Sequence, residues 1–148
     1  LLQNVIPVII VDEAHLLGKE MLEELRFLLN FQMDSHSPMC LILGGQPELR
    51  ATLKRQSTLA ISQRVNIHCE TRYLERAETR EYIMHHLRYA GSKSEIFSDE
   101  AIAQIQKYTN GSPRQINKLC THALIYGSQQ NKKILDDRCI DLVGKEEM

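Results

Sequence analysis

The sequence predicts an α/β protein with a parallel sheet, followed by a small all-helical part. Two apolar stretches, 8–11 and 39–43, have the length of strands, and residues 19–32 between them repeat apolar side chains at helical spacing. A strand, a helix and a second strand in this order form a βαβ unit, in which the two strands lie parallel. From residue 74 onward only helical patterns follow.

The composition is that of an ordinary globular protein. The 148 residues suffice for one domain or for one domain plus a small lobe, and 43% of them are hydrophobic. No apolar run approaches the roughly 18 residues of a membrane span. The four cysteines stand far apart without a C-x-x-C motif, which favours reduced thiols in the cytoplasm over disulfides or zinc. Because the chain opens on Leu1 without a basic region or an initiator Met, we expect a fragment that starts close upstream of a core strand.

The net charge of −1 is spread unevenly along the chain. Residues 1–48 carry two basic and seven acidic side chains, whereas residues 49–93 carry nine basic and four acidic ones. Residues 94–148 carry seven basic and eight acidic ones. The basic middle third can face nucleic acid or the acidic part of a neighbouring copy, or it can be made of solvated helix faces.

The first strand ends in two carboxylates. Residues 8–11 are all β-branched, which predicts a strand covered on both faces. Asp12 and Glu13 follow at its carboxyl end, where open α/β sheets bind their ligands. There Asp12 can hold Mg²⁺, usually through water. Glu13 can polarise a water for attack on a γ-phosphate.

The second strand leads to a polar residue and a new helix. Gly44-Gly45 closes the strand, and Gln46 comes next, beside the acid pair if the two strands are neighbours. Pro47 suits the first position of a helix that runs over 48–55. Further along, residues 59–64 precede Val65–Cys69, whose alternation predicts a short strand.

Four helices are predicted in the last half of the chain. The first covers 75–89 and ends at Gly91. The second begins after Ser98 as N-cap and stops at Asn110-Gly111. Ser112-Pro113 starts the third, and the fourth starts near Asp136 or Asp137. The side chains predicted to be buried are Tyr82, Ile83, Leu87, Ala90, Ala101, Ile102, Ile105, Tyr108, Ile116, Leu119, Cys120, Ala123, Leu124, Gly127, Cys139, Ile140 and Val143.

Several of these motifs resemble those of the AAA+ ATPases. The run from Val8 to Glu13 looks like a Walker B motif. Gln46 resembles sensor 1, which helps to orient the attacking water, although Asn, Thr or Ser are commoner there. Arg64, with Arg55 as the reserve, resembles the arginine finger that enters a neighbouring subunit's site. Residues 111–114 resemble sensor 2, in which the arginine, here Arg114, contacts the nucleotide.

The ordered set of motifs covers nearly the whole chain. It implies a partial AAA+ core of a P-loop NTPase over 1–73 and a helical lid over 74–148, with ATP and Mg²⁺ as cofactors. Residues 45–49 and 109–117 look like one branch, which holds general secretion pathway protein A and the Mu B and TniB transposition ATPases. The resemblance implies a head-to-tail homo-oligomer that assembles on double-stranded DNA and regulates transposition with a transposase. The alternative is an ATPase for secretin assembly in the envelope.

The sequence departs from the AAA+ pattern in one respect. No G-x-x-x-x-G-K-[ST] loop occurs in the 148 residues. Because that loop and its lysine hold the phosphates, we expect the fragment alone to hydrolyse no ATP, and we expect the loop upstream of Leu1.

Three other functions compete with this interpretation. Residues 12–15 spell the DEAH motif of helicases, but the Ser-Ala-Thr and arginine-glycine motifs of those enzymes are missing. A zinc site from Asp12, Glu13 and His15 matches no H-E-x-x-H spacing. A non-catalytic AAA+ relic that binds DNA or a partner stays open, and the presence or absence of the Gly-Lys-Thr loop would decide it.

Overall fold

A computed structural model describes residues 5–29 and 39–147 of the chain. The chain divides into two compact units, Leu1–Cys69 and Glu70–Met148. The first contains both strands and the second consists mainly of helices, so the predicted α/β fold class is confirmed. The predicted helix end at Gln32 and the predicted break at 33–38 lie outside the described residues.

The first unit is built around two parallel strands. The described elements of the first unit are β1 (Val8–Val11), a 3₁₀ turn (Ala14–Leu16), α1 (Lys19–Leu29), β2 (Cys40–Leu43), α2 (Pro47–Leu53), a 3₁₀ turn (Gln56–Thr58) and α3 (Leu59–Ser62). Strands β1 and β2 pair in the register Val8 with Cys40 through Val11 with Leu43. Helix α1 lies between the two strands in the chain and helices α2 and α3 follow them, which is the βαβ order that the sequence predicts.

A small apolar cluster holds the first unit together. Its buried members are Ala14, Leu22, Leu49, Leu53 and Ile61. Strand β1 contributes little to it, since Val8, Ile9 and Ile10 are 58%, 40% and 68% exposed. The prediction that β1 is covered on both faces is therefore wrong for the described part of the chain, in which β2 is its only sheet neighbour.

Two further details differ from the sequence prediction. Residues 65–69 form no strand, because an isolated extended segment is not stable without a pairing partner and none of the described strands pairs with it. In α1, Met21 and Leu28 are exposed although they belong to the predicted apolar stripe, and Leu22 alone is fully buried.

The second unit is a bundle of four helices around one apolar core. All four predicted helices are present, within one residue of their predicted starts. The helices are α4 (Arg76–Tyr89), α5 (Asp99–Thr109), α6 (Pro113–Gln129) and α7 (Asp137–Glu147). Their shared core consists of Ile83, Leu87, Phe97, Ala101, Ile102, Ile105, Ile116, Leu119, Ala123, Leu135, Cys139, Ile140 and Val143. Ala90, predicted to be buried, is exposed at the end of α4.

Local side-chain contacts fix the helix starts. At the start of α4, Glu75 and Glu78 form a reciprocal capping box, in which the backbone N–H of Glu75 donates to the Glu78 carboxylate at 2.8 Å. Arg72 adds two hydrogen bonds of 2.7 Å to the same carboxylate and lowers the pKa of Glu78 to about 2. At α5, the Ser98 hydroxyl accepts the backbone N–H of Ala101 at 3.2 Å, as its N-cap role predicts.

The turn between α5 and α6 brings the backbone of Gly111 against that of Leu74. The Leu74 N–H donates to the Gly111 carbonyl at 2.9 Å, and Gly111 has a φ of +78°. A Cβ atom built on Gly111 would overlap the carbonyl oxygen of Leu74. Glycine is therefore required here both by the backbone conformation and by the close approach.

We predict that Gly111→Ala destabilises the second unit by about 2 kcal/mol or more, since strain and overpacking add. Gly91→Ala is the matched control, because Gly91 also has a positive φ, +89°, but a Cβ atom added there would meet nothing within 4 Å. Its cost should be about 1 kcal/mol. Urea denaturation of both variants measures the difference, and equal free energies of unfolding would contradict the close approach at Leu74.

Candidate functional site

The carboxyl ends of the two strands meet at one point of the sheet edge. Beyond the paired residues, the N–H of Gly44 donates to the carbonyl of Val11 at 2.9 Å, and the N–H of Ala14 donates to the carbonyl of Gly44 at 2.8 Å. A Cβ atom on Gly44 would lie 3.6 Å from Oδ1 of Asp12. The acid after β1 thus lies directly beside the glycine that ends β2.

The acid pair has a defined local geometry. Oδ1 of Asp12 accepts the backbone N–H of Glu13 at 2.8 Å. Glu13 adopts the left-handed backbone conformation with φ of 53°, which is uncommon for a residue with a Cβ atom. The 3₁₀ turn that starts at Ala14 follows at once, and Ala14 is fully buried. The Glu13 side chain is 61% exposed, so its carboxylate is accessible to water.

His15 connects the acid pair to the second strand. Its side chain is only 12% exposed, and its Nδ1 lies 3.4 Å from Oε2 of Glu13. The same nitrogen accepts the backbone N–H of Gln46 at 3.3 Å. From the residue pattern alone, His15 is considered as a zinc ligand and as part of the DEAH helicase motif, and its contact with the Gln46 turn is not predicted. The signal that could have found it is the pair of glycines at 44–45, which leaves space for a ring between the strand ends.

Gln46 lies where the sequence predicts, at the turn between β2 and α2. It is the N-cap residue of α2, Pro47 occupies the first helical position, and the Gln46 side chain is exposed. Asp12, Glu13 and the backbone of Gln46 are therefore brought together at one sheet edge, through Gly44 and His15.

The three arginines predicted as finger or sensor 2 lie on segments of the chain other than the two strand ends. Arg64 is half-buried in the turn after α3, where its backbone N–H donates to the carbonyl of Ile61 at 2.9 Å. Arg55 is exposed at the start of the 3₁₀ turn that precedes α3. Arg114 belongs to the second unit and is exposed in the first turn of α6, after the N-cap Ser112. The roles of all three as finger or sensor stay predictions.

The described residues at this site form no enclosed metal-binding cluster. Within residues 5–29 and 39–147, no group of three or more His, Cys, Asp or Glu side chains could enclose a metal ion. Asp12 is an exposed carboxylate at the sheet edge, which suits Mg²⁺ that keeps most of its waters and shares phosphate oxygens.

Across the described helices, none is long and apolar enough to cross a membrane.

Comparison with known proteins gives three findings. A family described as AAA domain matches residues 1–53. General secretion pathway protein A of Aeromonas hydrophila is 33% identical over 118 residues, which are 80% of this chain and 22% of that protein. A RuvB mutant of Thermotoga maritima has the same fold with a TM-score of 0.69 at 21% identity, covering 94% of this chain and 44% of that one. The chain thus spans about a fifth of the length of its curated relative.

The matched AAA domain, the relative from Aeromonas hydrophila and the shared fold support the resemblance of this chain to the AAA+ ATPases. The resemblance seen in the sequence is confirmed on this point. Within the class, the relative from Aeromonas hydrophila supports the general secretion pathway protein A type.

We predict that Gly45→Ala disturbs the site while Gly44→Ala does not. A Cβ atom on Gly45 would lie 3.0 Å from the backbone nitrogen of His15 and 3.3 Å from its Nδ1, whereas a Cβ atom on Gly44 would have no neighbour closer than 3.6 Å. The tight contact should cost Gly45→Ala about 1–2 kcal/mol of unfolding free energy. Denaturation curves test the contrast, and a Gly44→Ala variant of equal or lower stability would contradict it.

Proposed function

We propose that this chain supplies the hydrolytic half of an ATPase site. The observation that carries the proposal is the geometry of the acid pair. The Asp12 carboxylate accepts a hydrogen bond from the Glu13 backbone N–H, which fixes its orientation. The Glu13 carboxylate is exposed beside the Gln46 turn. Such a carboxylate can take a proton from a water that attacks a γ-phosphate. Asp12 would hold Mg²⁺ through water, and the bound ion would neutralise charge on the phosphates.

The remaining predicted residues complete this assignment. Gln46, exposed at the N-cap of α2, would help to orient the water as sensor 1. Arg64 would serve a neighbouring copy as the finger, and a guanidinium there would stabilise the transition-state charge. Arg114 stands at the N-terminus of α6, where free N–H groups and the helix dipole attract phosphate. It would contact ATP as sensor 2.

For the cellular role we propose a secretion-type ATPase. The relative whose name describes general secretion supports it. The role that the sequence alone favours, assembly on DNA in transposition, stays a prediction, since the names of the family and the two proteins reported above mention neither transposition nor a transposase. Head-to-tail assembly is proposed for either role, because a finger in trans requires it.

Hydrolysis requires a phosphate-binding loop in addition to these residues. The 148 residues contain no G-x-x-x-x-G-K-[ST] motif. We therefore propose that the chain by itself is inactive and that activity belongs to a longer protein carrying both parts. The kinetic predictions that follow concern that protein, called here the full-length protein.

Glu13→Gln in the full-length protein should lower kcat for ATP hydrolysis by about 100-fold or more, because the amide cannot take the proton of the attacking water. Nucleotide affinity should change little, since Asp12 and the phosphate loop are intact. Phosphate release and fluorescent-nucleotide binding measure the two quantities. Glu20→Gln, an exposed change on α1, is the control and should behave as the unmodified protein. Undiminished turnover in Glu13→Gln would overturn the proposed function.

Arg64→Ala should lower turnover by about 1000-fold and spare ATP binding, as expected for a finger that acts in the transition state. Arg55→Ala is the matched comparison, because the sequence leaves Arg55 as the reserve. The assay mixes Arg64→Ala with an excess of Glu13→Gln protein. Recovery of activity in the mixture indicates a finger that acts between copies, whereas normal turnover in Arg64→Ala alone would exclude Arg64.

A further inference from the structure

His15 is the residue at this site whose contacts the proposed function leaves unused. It lies in the 3₁₀ turn after the acid pair, and its imidazole is 12% exposed although Glu13 beside it is 61% exposed. The ring lies against the backbone of Gly45, where an added Cβ atom would come within 3.3 Å of Nδ1. The imidazole therefore has one fixed place between the ends of the two strands.

One nitrogen of this ring faces two partners. Nδ1 lies 3.3 Å from the backbone nitrogen of Gln46 and 3.4 Å from Oε2 of Glu13. When Nδ1 carries no proton, it accepts the Gln46 N–H, and the Glu13 carboxylate receives no proton from the ring. When Nδ1 is protonated, it can donate to Glu13 but can no longer accept from Gln46. The two contacts exclude each other.

This exclusion has a consequence for hydrolysis. In the first state the Gln46 turn is tied to the acid pair and the Glu13 carboxylate keeps its lone pairs for water. In the second state the carboxylate is engaged by the ring and the N-cap of α2 is released. Only the first state presents a fixed Gln46 and an available base together.

We propose that His15 is a positioning residue for ATP hydrolysis: unprotonated Nδ1 holds the Gln46 turn beside the acid pair and leaves the Glu13 carboxylate available to water. The inference rests on the proposed function, because it assigns His15 a part in the reaction that Glu13 performs. His15 contacts neither substrate nor metal in this assignment, and it acts through the Gln46 turn.

The test compares His15→Asn with His15→Gln in the full-length protein. The asparagine amide branches from the γ carbon that carries Nδ1 in histidine, so its oxygen can accept the Gln46 N–H. The glutamine amide reaches one bond farther, toward the position of Nε2. Both replacements are neutral amides, so the pair isolates the location of the acceptor. His68→Asn, an exposed change in the same unit, is the control.

We expect His15→Gln to lower kcat at least about tenfold with nucleotide KM changed less than about threefold, and His15→Asn to keep kcat within about threefold of the unmodified protein. Equal kcat values in the two amide variants would overturn the proposal. If Glu13→Gln retains activity in the same assay, the proposed function itself fails. If Glu13→Gln is inactive and the two His15 amide variants have equal kcat values, the proposed function stands and only the role of His15 is excluded.

A second measurement applies even if His15→Gln does not fold. Hydrogen–deuterium exchange at the Gln46 amide of the unmodified protein should be slowed at least about tenfold relative to an unprotected amide, because His15 accepts that N–H. The protection should persist in His15→Asn. Unprotected exchange at Gln46 in the unmodified protein would overturn the proposal on its own.

Discussion

The parallel pairing of β1 with β2 is the constraint on which the candidate site depends. The register sets Val11 opposite Leu43, and two further hydrogen bonds continue the contact past the strand ends, from Gly44 to Val11 and from Ala14 to Gly44. Asp12 is thereby held beside Gly44. A slip of one residue would turn every side chain of the strand to the opposite face and separate the acid pair from the Gln46 turn. The chemistry is thus a consequence of strand register.

Small residues at the end of β2 make the close approach possible. The backbone of Gly45 lies against the backbone nitrogen and the ring of His15, where a side chain would not fit without displacement. In the turn after β1, Glu13 adopts a left-handed backbone conformation, which costs roughly 1–2 kcal/mol for a residue with a Cβ atom. The hydrogen bond from its N–H to Asp12 and the buried Ala14 that follows offset this cost. Strain of this kind at an acidic turn is typical of functional sites.

The sequence predicts elements well where the signal is local. Ser98 and Pro113 mark helix starts by their own chemistry, and the structure has helices beginning at Asp99 and at Pro113 itself. Signals that depend on a distant partner are less reliable. The alternation in residues 65–69 predicts a strand, but no described strand pairs with it. Conversely, Phe97 and Leu135 form an isolated parallel β-bridge, although the sequence around them has no strand-like pattern that would predict it.

How much of the candidate site could be predicted follows from the same distinction. Asp12, Glu13 and Gln46 follow strand ends, so a βαβ order suffices to bring them to one edge. The contacts of His15 depend on the turn after β1, on Gly45 and on a backbone N–H of the next element. The glycine pair indicates space between the strand ends, but residue types do not show which side chain fills it. Within the described part of the chain, the contacts found to shape the acid pair join residues between Val11 and Gln46. The local geometry of this edge therefore does not depend on a further element packing against the exposed side chains of β1. Binding of a triphosphate, in contrast, requires a phosphate-binding loop, and these 148 residues do not contain its motif.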